Sequence, residues 1–149
     1  MTKEIETFKE NQTITEGILF SKNLIKGDID RSIIVYLEGD LGAGKTTFTK
    51  GIMQGLGYQG LVKSPTYNLV EIHETEMLKV FHFDLYRIND AQELEEIGIQ
   101  EYVNEKGSLC VFEWPENAES ILPKPDFTVE IEHINSLQMD LRKLTIKSA

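Results

Sequence analysis

Residues Gly39-Asp40-Leu41-Gly42-Ala43-Gly44-Lys45-Thr46 match the pattern G-x-x-x-x-G-K-[S/T] at every fixed position. Holding a polyphosphate takes many hydrogen-bond donors at short range, and backbone N–H groups supply them where no Cβ intrudes. Gly39, Gly42 and Gly44 permit that approach and the dihedrals of an anion-binding nest. A helix starting near Lys45 would aim its N-terminal partial positive charge at the same anion. Lys45 is then a point charge for the outer phosphates, and the Thr46 hydroxyl is a ligand for Mg²⁺. A random chain of this length would show the pattern about 0.5% of the time. A glycine-rich surface turn is therefore a poor account of it.

A cradle of this kind also needs an acid at the end of a neighbouring strand to orient the metal and its waters. Leu109-Cys110-Val111-Phe112-Glu113 is an apolar run ending in a carboxylate. Val80-Phe81-His82-Phe83-Asp84 has the same form, interrupted by His82. An unbroken run suits a central strand beside the cradle strand, which favours Glu113 for the metal and Asp84 for positioning or activating the attacking water. Either acid could instead simply mark a strand end.

Thr66, behind Pro65, is a candidate switch-loop threonine that senses a γ-phosphate or ligates Mg²⁺, with a plain Ser-Pro-Thr turn as the alternative. His73, His82 and His133 show no metal-ligand spacing with one another or with Cys110. His82, inside a buried run, reads as a core residue or as a support behind the site. Trp114 reads as packing near the site, with base stacking or gating as the alternative. Glu93, Glu95 and Glu96 read as a solvated helix face.

The elements that must position these residues are also legible. Ile33 to Leu37 form an unbroken apolar run before the cradle, as expected of a parallel strand covered on both faces. After it, Phe48, Ile52, Met53 and Leu56 keep helical spacing, and Gly55 and Gly57 end that helix. This order predicts an α/β fold, a P-loop NTPase-like three-layer sandwich with a mixed, partly parallel sheet. Upstream, a strand is expected over residues 5–9. A helix follows, capped by Thr13 with Glu16, carrying Ile14, Ile18, Leu19 and Leu24 on its face and closed by Gly27. Downstream, strands are expected over residues 67–72 and 78–83 around a charged turn, then a short acidic helix over 90–97, then strands over 127–131 and 141–146. Short connections between some of these strands predict antiparallel pairing.

The 149 residues, 40% hydrophobic and 27% charged, have the composition of one globular domain spanning 1–149. A net charge of −10 repels phosphate backbones and argues against a primary nucleic-acid binder, which leaves open service to a nucleic-acid pathway through a partner. The N-terminus has neither the basic start nor the apolar stretch of a secretion signal, and no run approaches the roughly 18 apolar residues of a membrane span. With a single cysteine, Cys110, the expected location is cytoplasmic and no membrane association is expected.

The cradle through Thr47 occurs together with Ser64-Pro65-Thr66-Tyr67, His82-Phe83-Asp84-Leu85-Tyr86-Arg87 and Phe112-Glu113-Trp114-Pro115-Glu116. The set resembles the TsaE (YjeE-type) family, the bacterial ATPase of tRNA threonylcarbamoyladenosine biosynthesis. The likeness runs in order from about Thr13 to Leu122; the β-rich tail matches only in character. The resemblance implies a slow P-loop ATPase using Mg²⁺ and ATP, working with partner proteins TsaB and TsaD, which attach the threonylcarbamoyl group to an adenosine beside the tRNA anticodon. It implies that residues Gly39 to Thr47 bind the nucleotide and that Thr46 and Glu113 serve the metal. It also places the switch threonine at Thr66 and the Asp of the Asp-Leu-Tyr-Arg motif at Asp84.

Three other readings compete. A small-molecule P-loop kinase usually needs several arginines, whereas the chain has Arg31, Arg87 and Arg142, with only Arg87 expected near the site. A GTPase would show an Asn/Thr-Lys-x-Asp motif, and Pro123-Lys124-Pro125-Asp126 lacks its first residue. A nucleotide-gated interaction module with little turnover overlaps with the favoured reading, because a chain this short must spend hydrolysis on a partner.

Overall fold

The protein is described by a computed structural model covering residues 1–7, 9–24, 30–62, 65, 68–136 and 139–149, with backbone alone at 135, 136, 139 and 140. The elements run β1 (Thr2–Thr7), α1 (Glu10–Leu24), β2 (Ile33–Glu38), α2 (Lys45–Gly55), β3 (Val70–Glu74), β4 (Lys79–Asp84), α3 (Gln92–Glu96), α4 (Ile99–Val103), β5 (Ser108–Glu113), β6 (Phe127–Ser136) and β7 (Met139–Ser148). A 3₁₀ turn, Pro115–Ala118, follows β5.

The strands form one sheet in the order β1-β7-β6-β2-β5-β4-β3. Its centre is parallel, β6 with β2, β2 with β5 and β5 with β4, and both margins are antiparallel. Helices cover both faces. Val35, Leu37, Val80, Leu109 and Val111 pack with Phe20 of α1 and with Phe48 and Ile52 of α2. Ile34, Phe81, Phe83 and Phe112 pack with Leu94 of α3 and Ile99 of α4. Burial on both faces is why β2 and β5 read as unbroken apolar runs rather than alternating ones. The expected mixed three-layer sandwich is the observed architecture.

The helix that launches from the cradle is held by backbone contact. A Cβ on Gly51 of α2 would collide with the carbonyl oxygen of Ile14, and one on Gly17 of α1 with that of Phe48. Glycine in a helix interior costs roughly 0.5–1 kcal/mol against alanine. Here it lets α1 and α2 touch through their backbones.

Several local expectations shift. The first strand lies at Thr2–Thr7 rather than at 5–9, and α1 already begins at Glu10. Thr13 is therefore no cap: it is buried within α1, its hydroxyl 2.9 Å from that of Thr7. Gln12 reaches back instead, its side chain accepting from the Lys9 N–H at 3.3 Å. Leu19 is 46% exposed, so the buried stripe runs through Gly17, Phe20, Ser21 and Leu24. Gly27 and Tyr67 lie outside the described residues. The acidic segment is shorter than expected, and Gly98, at φ 78°, separates it from the further helix α4. Glu95 and Glu96 are exposed on α3, while Glu93 is half-buried. Both tail strands are longer than expected.

Candidate functional site

The chain leaves β2 at Glu38 and turns back through residues 39–44 before α2 starts at Lys45. Two glycines fix that turn. Gly39 sits at φ 155°, and a Cβ there would collide with the Ile131 carbonyl. Gly44, at φ 118° and ψ 18°, caps α2 in a left-handed conformation that side chains rarely adopt. Inside the loop the Ala43 N–H donates to the Asp40 carbonyl at 3.0 Å. Lys45 is 5% exposed; its Nζ donates to the Gly39 carbonyl at 2.7 Å. Burial pulls the pKa of this ammonium down, opposed by the negative charges of Glu113 and Asp84.

The two acids come together as neighbours. Asp84 and Glu113 are directly opposite each other at the C-terminal ends of the parallel strands β4 and β5, and Glu113 faces Leu37 of β2 on its other side. Crevices beyond the C-terminal ends of parallel strands are where open α/β sheets hold ligands. One cavity of about 540 Å³ is lined by Leu41, Gly42, Gly44, Lys45, Thr46 and Thr47 from the cradle, and by Asp84, Tyr86, Arg87, Glu113 and Trp114 opposite. Asp40 and Ala43 belong to the loop but do not line the cavity, and Gly39 meets it only by accepting from Lys45. Thr66 lies outside the described residues.

The two acid-bearing turns are stitched together. The Leu85 N–H donates to the Glu113 carbonyl at 3.0 Å, and Asn117 Nδ2 donates to the Leu85 carbonyl at 2.9 Å. Asp84 Oδ1 accepts from the Tyr86 N–H at 3.0 Å. The Tyr86 and Trp114 rings lie 5.0 Å apart. Trp114 itself stands at φ 59° and ψ 48°, a left-handed conformation costing roughly 1–3 kcal/mol for a non-glycine residue. That kink turns the indole over Lys45 Nζ, 3.5 Å from the ring centroid.

The donor set for a metal is oxygen-rich: the Thr46 hydroxyl with the Asp84 and Glu113 carboxylates. Among the described residues no group of three or more His, Cys, Asp or Glu forms a self-sufficient metal cage. A hydroxyl with one or two carboxylates could hold Mg²⁺, which keeps waters and takes one or two protein carboxylates alongside substrate phosphates.

The sequence leaves Arg142 away from the site and places His82 in the core or behind the site without naming its partner. Arg142 on β7 donates from Nε to the Ala43 carbonyl at 2.7 Å and from Nη2 to the Gly42 carbonyl at 3.4 Å. Arg87 is therefore not the only arginine at the cradle. His82 Nε2 lies 2.5 Å from Glu113 Oε2, with both side chains buried. The alternation of β4 puts His82 on the same face as Asp84, which a sequence reader could use; nothing local announces Arg142. His73 instead contacts Tyr58, Nδ1 to the hydroxyl at 3.2 Å.

The sequence profile of the family described as "Threonylcarbamoyl adenosine biosynthesis protein TsaE" matches residues 7–142. The chain belongs to the TsaE family. Among its relatives is a Haemophilus influenzae protein named tRNA threonylcarbamoyladenosine biosynthesis protein TsaE, 50% identical over 117 residues, covering 78% of this chain and 73% of that one. A Bacillus subtilis protein of the same name is 39% identical over 112 residues, covering 75% and 67%. The crystal structure of Bacillus subtilis YdiB superposes with a TM-score of 0.79 at 28% identity, covering 99% of this chain and 86% of that one. The likeness to the TsaE family thus takes in β6 and the first residues of β7 and ends on Arg142, the residue that grips the cradle. No helix among the described residues is long and apolar enough to cross a membrane.

Proposed function

We propose that the cavity between the cradle and the Asp84–Glu113 pair binds Mg-ATP, and that the chain hydrolyses it slowly to drive or reset a TsaB–TsaD complex modifying tRNA to threonylcarbamoyladenosine. The observation that carries this reading is the convergence of the phosphate nest, a buried lysine and two register-paired carboxylates on one cavity of about 540 Å³. The names of the relatives supply the pathway.

In this reading the backbone of Gly39 to Thr47 cradles the phosphates. Lys45 leaves the Gly39 carbonyl and the Trp114 face to meet the outer phosphates. Thr46 and Glu113 hold Mg²⁺, which when bound neutralises phosphate charge and polarises the transferred group. Asp84, anchored by the Tyr86 N–H, orients the attacking water. Thr66 senses the γ-phosphate and couples it to partner docking. The net charge of −10 leaves tRNA to the partners, and the reaction is cytoplasmic.

The test is ATP turnover by the purified chain, alone and with TsaB, TsaD and tRNA, with Lys45→Ala and Glu113→Ala as controls. Slow turnover that responds to the partners and vanishes in both variants is expected. Turnover that ignores the partners but follows a small phosphoryl acceptor would identify a kinase instead.

A further inference from the structure

We infer that His82 is a positioning residue for the metal-holding carboxylate: it pins one oxygen of Glu113 so that the other addresses the cavity. The inference rests on the functional reading above. The imidazole is 0% exposed and Glu113 is 3% exposed, so water does little to orient this acid. A carboxylate that holds a metal is ionised and only accepts hydrogen bonds, so in that role the 2.5 Å contact is a donation from Nε2 to Oε2. Oε1 is then the oxygen left for the cavity that Glu113 lines.

The sheet explains why a histidine at this position can do this. His82 pairs with Val111 and Asp84 with Glu113, so the imidazole projects from the same face as both acids, one pleat deeper. It reaches Glu113 diagonally from behind, without entering the cavity. Its other nitrogen, Nδ1, is buried with no hydrogen-bond partner among the described residues. Leaving a buried polar atom unsatisfied costs about 1–3 kcal/mol. A side chain kept only for core packing would be better apolar, and the bond to Glu113 is the one polar contact the ring makes among the described residues.

Residues that orient a metal-holding side chain from behind change metal affinity by about 10–100-fold when replaced. A glutamine can place an amide N–H near the position of Nε2, whereas the shorter asparagine places it near Nδ1. The experiment is calorimetric titration with the non-hydrolysable analogue AMP-PNP, with and without MgCl₂, on wild type, His82→Gln and His82→Asn. Wild type and His82→Gln should show the same Mg²⁺-dependent gain in affinity. His82→Asn should lose about 10-fold or more of that gain, with its Mg²⁺-free affinity unchanged.

A second arm guards against a folding artefact: in a Glu113→Gln background, His82→Asn should have no further effect on the Mg²⁺ dependence. If His82→Asn keeps the gain, if His82→Gln loses it equally, or if the two changes are additive, the positioning role is wrong. If wild type itself binds AMP-PNP without any Mg²⁺ gain, the functional reading falls and this inference with it.

Discussion

The ammonium of Lys45 is held between two partners, the Gly39 carbonyl at 2.7 Å and the face of Trp114 at 3.5 Å from the ring centroid. Trp114 can take that place because β5 ends in a left-handed kink at φ 59°, locked by the 3₁₀ turn that starts at Pro115. A cation over an indole is worth about 0.5–2 kcal/mol, depending on desolvation. In the proposed function, incoming phosphates would compete for the same ammonium, which would couple ligand binding to the indole environment.

The first prediction follows from that competition. Trp114 is the only tryptophan in the chain, so tryptophan emission reports the surroundings of this one indole, the Lys45 ammonium and the Tyr86 ring among them. ATP or ADP should change the emission saturably, and inorganic phosphate should do so weakly. Lys45→Ala should shift the emission of the nucleotide-free protein and remove the response. A full response in Lys45→Ala would show that the indole senses something other than this cation.

Arg142 supports the second prediction. Its guanidinium holds the Ala43 and Gly42 carbonyls, which turns the N–H groups of the same loop away from it. Hydrogen bonds from a charged donor are worth about 1.5–3 kcal/mol when intact. Arg142→Ala should weaken nucleotide binding by about 10-fold, and Arg142→Lys, a single-point donor without the fork, should recover only part of it. Calorimetry measures both, and equal binding by all three proteins would count against a role in shaping the cradle.

What was legible in the sequence was local. The apolar runs of β2 and β5, the helical spacing of α2 and the cradle all depend on residues within one turn or strand of each other, and each stands where it was expected. Two apolar runs that end in acids also single out Glu113 and Asp84, and the register sets these two side by side. Arg142 was not legible, because its contact spans about a hundred residues and depends on β7 pairing with β6 beside β2. The cap of α1 was misread for a different reason. Thr13 and Glu16 carry the right letters, but Thr7 offers Thr13 a buried hydroxyl partner, and the helix begins a turn earlier. The glycine contact between α1 and α2 is likewise invisible to a pattern that looks for apolar stripes.

A pH dependence is expected from Asp126. Its carboxylate receives the Arg31 fork at 2.6 and 2.8 Å and the Ile34 N–H at 2.8 Å, tying the start of β2 to the start of β6. Burial alone would raise this carboxyl, but the hydrogen bonds from Arg31 and Ile34 and the Arg31 charge outweigh it and hold the pKa below the usual value. A depressed folded-state pKa means that the stabilisation is present above the unfolded carboxyl pKa of about 3.9 and is lost as pH falls through the folded value. Arg31 is more than half exposed, so the pair is discounted for solvent. Asp126→Asn should cost about 1–2 kcal/mol in urea unfolding at neutral pH. The gap from wild type should close below about pH 4, and a gap that stays constant with pH would rule out the ionised carboxylate as its source.

The α1–α2 contact sets two physical effects against each other at Gly51. By helix propensity alone, glycine to alanine in a helix interior should stabilise the protein by about 1 kcal/mol. The added Cβ would meet the Ile14 carbonyl and the Gly17 Cα, both backbone atoms that no rotamer change can move aside. Overpacking of this kind costs about 1–3 kcal/mol, so the collision should win and Gly51→Ala should be net destabilising. Gln54→Ala, on the exposed side of the same helix, isolates propensity and should be neutral or slightly stabilising. Because α2 begins at Lys45, separating it from α1 should also displace the cradle. Gly51→Ala should therefore lose nucleotide affinity as well as melting temperature, while Gln54→Ala loses neither. A melting temperature at or above wild type in Gly51→Ala would mean that the helices can move apart without cost, and that α1 does not hold the cradle in place.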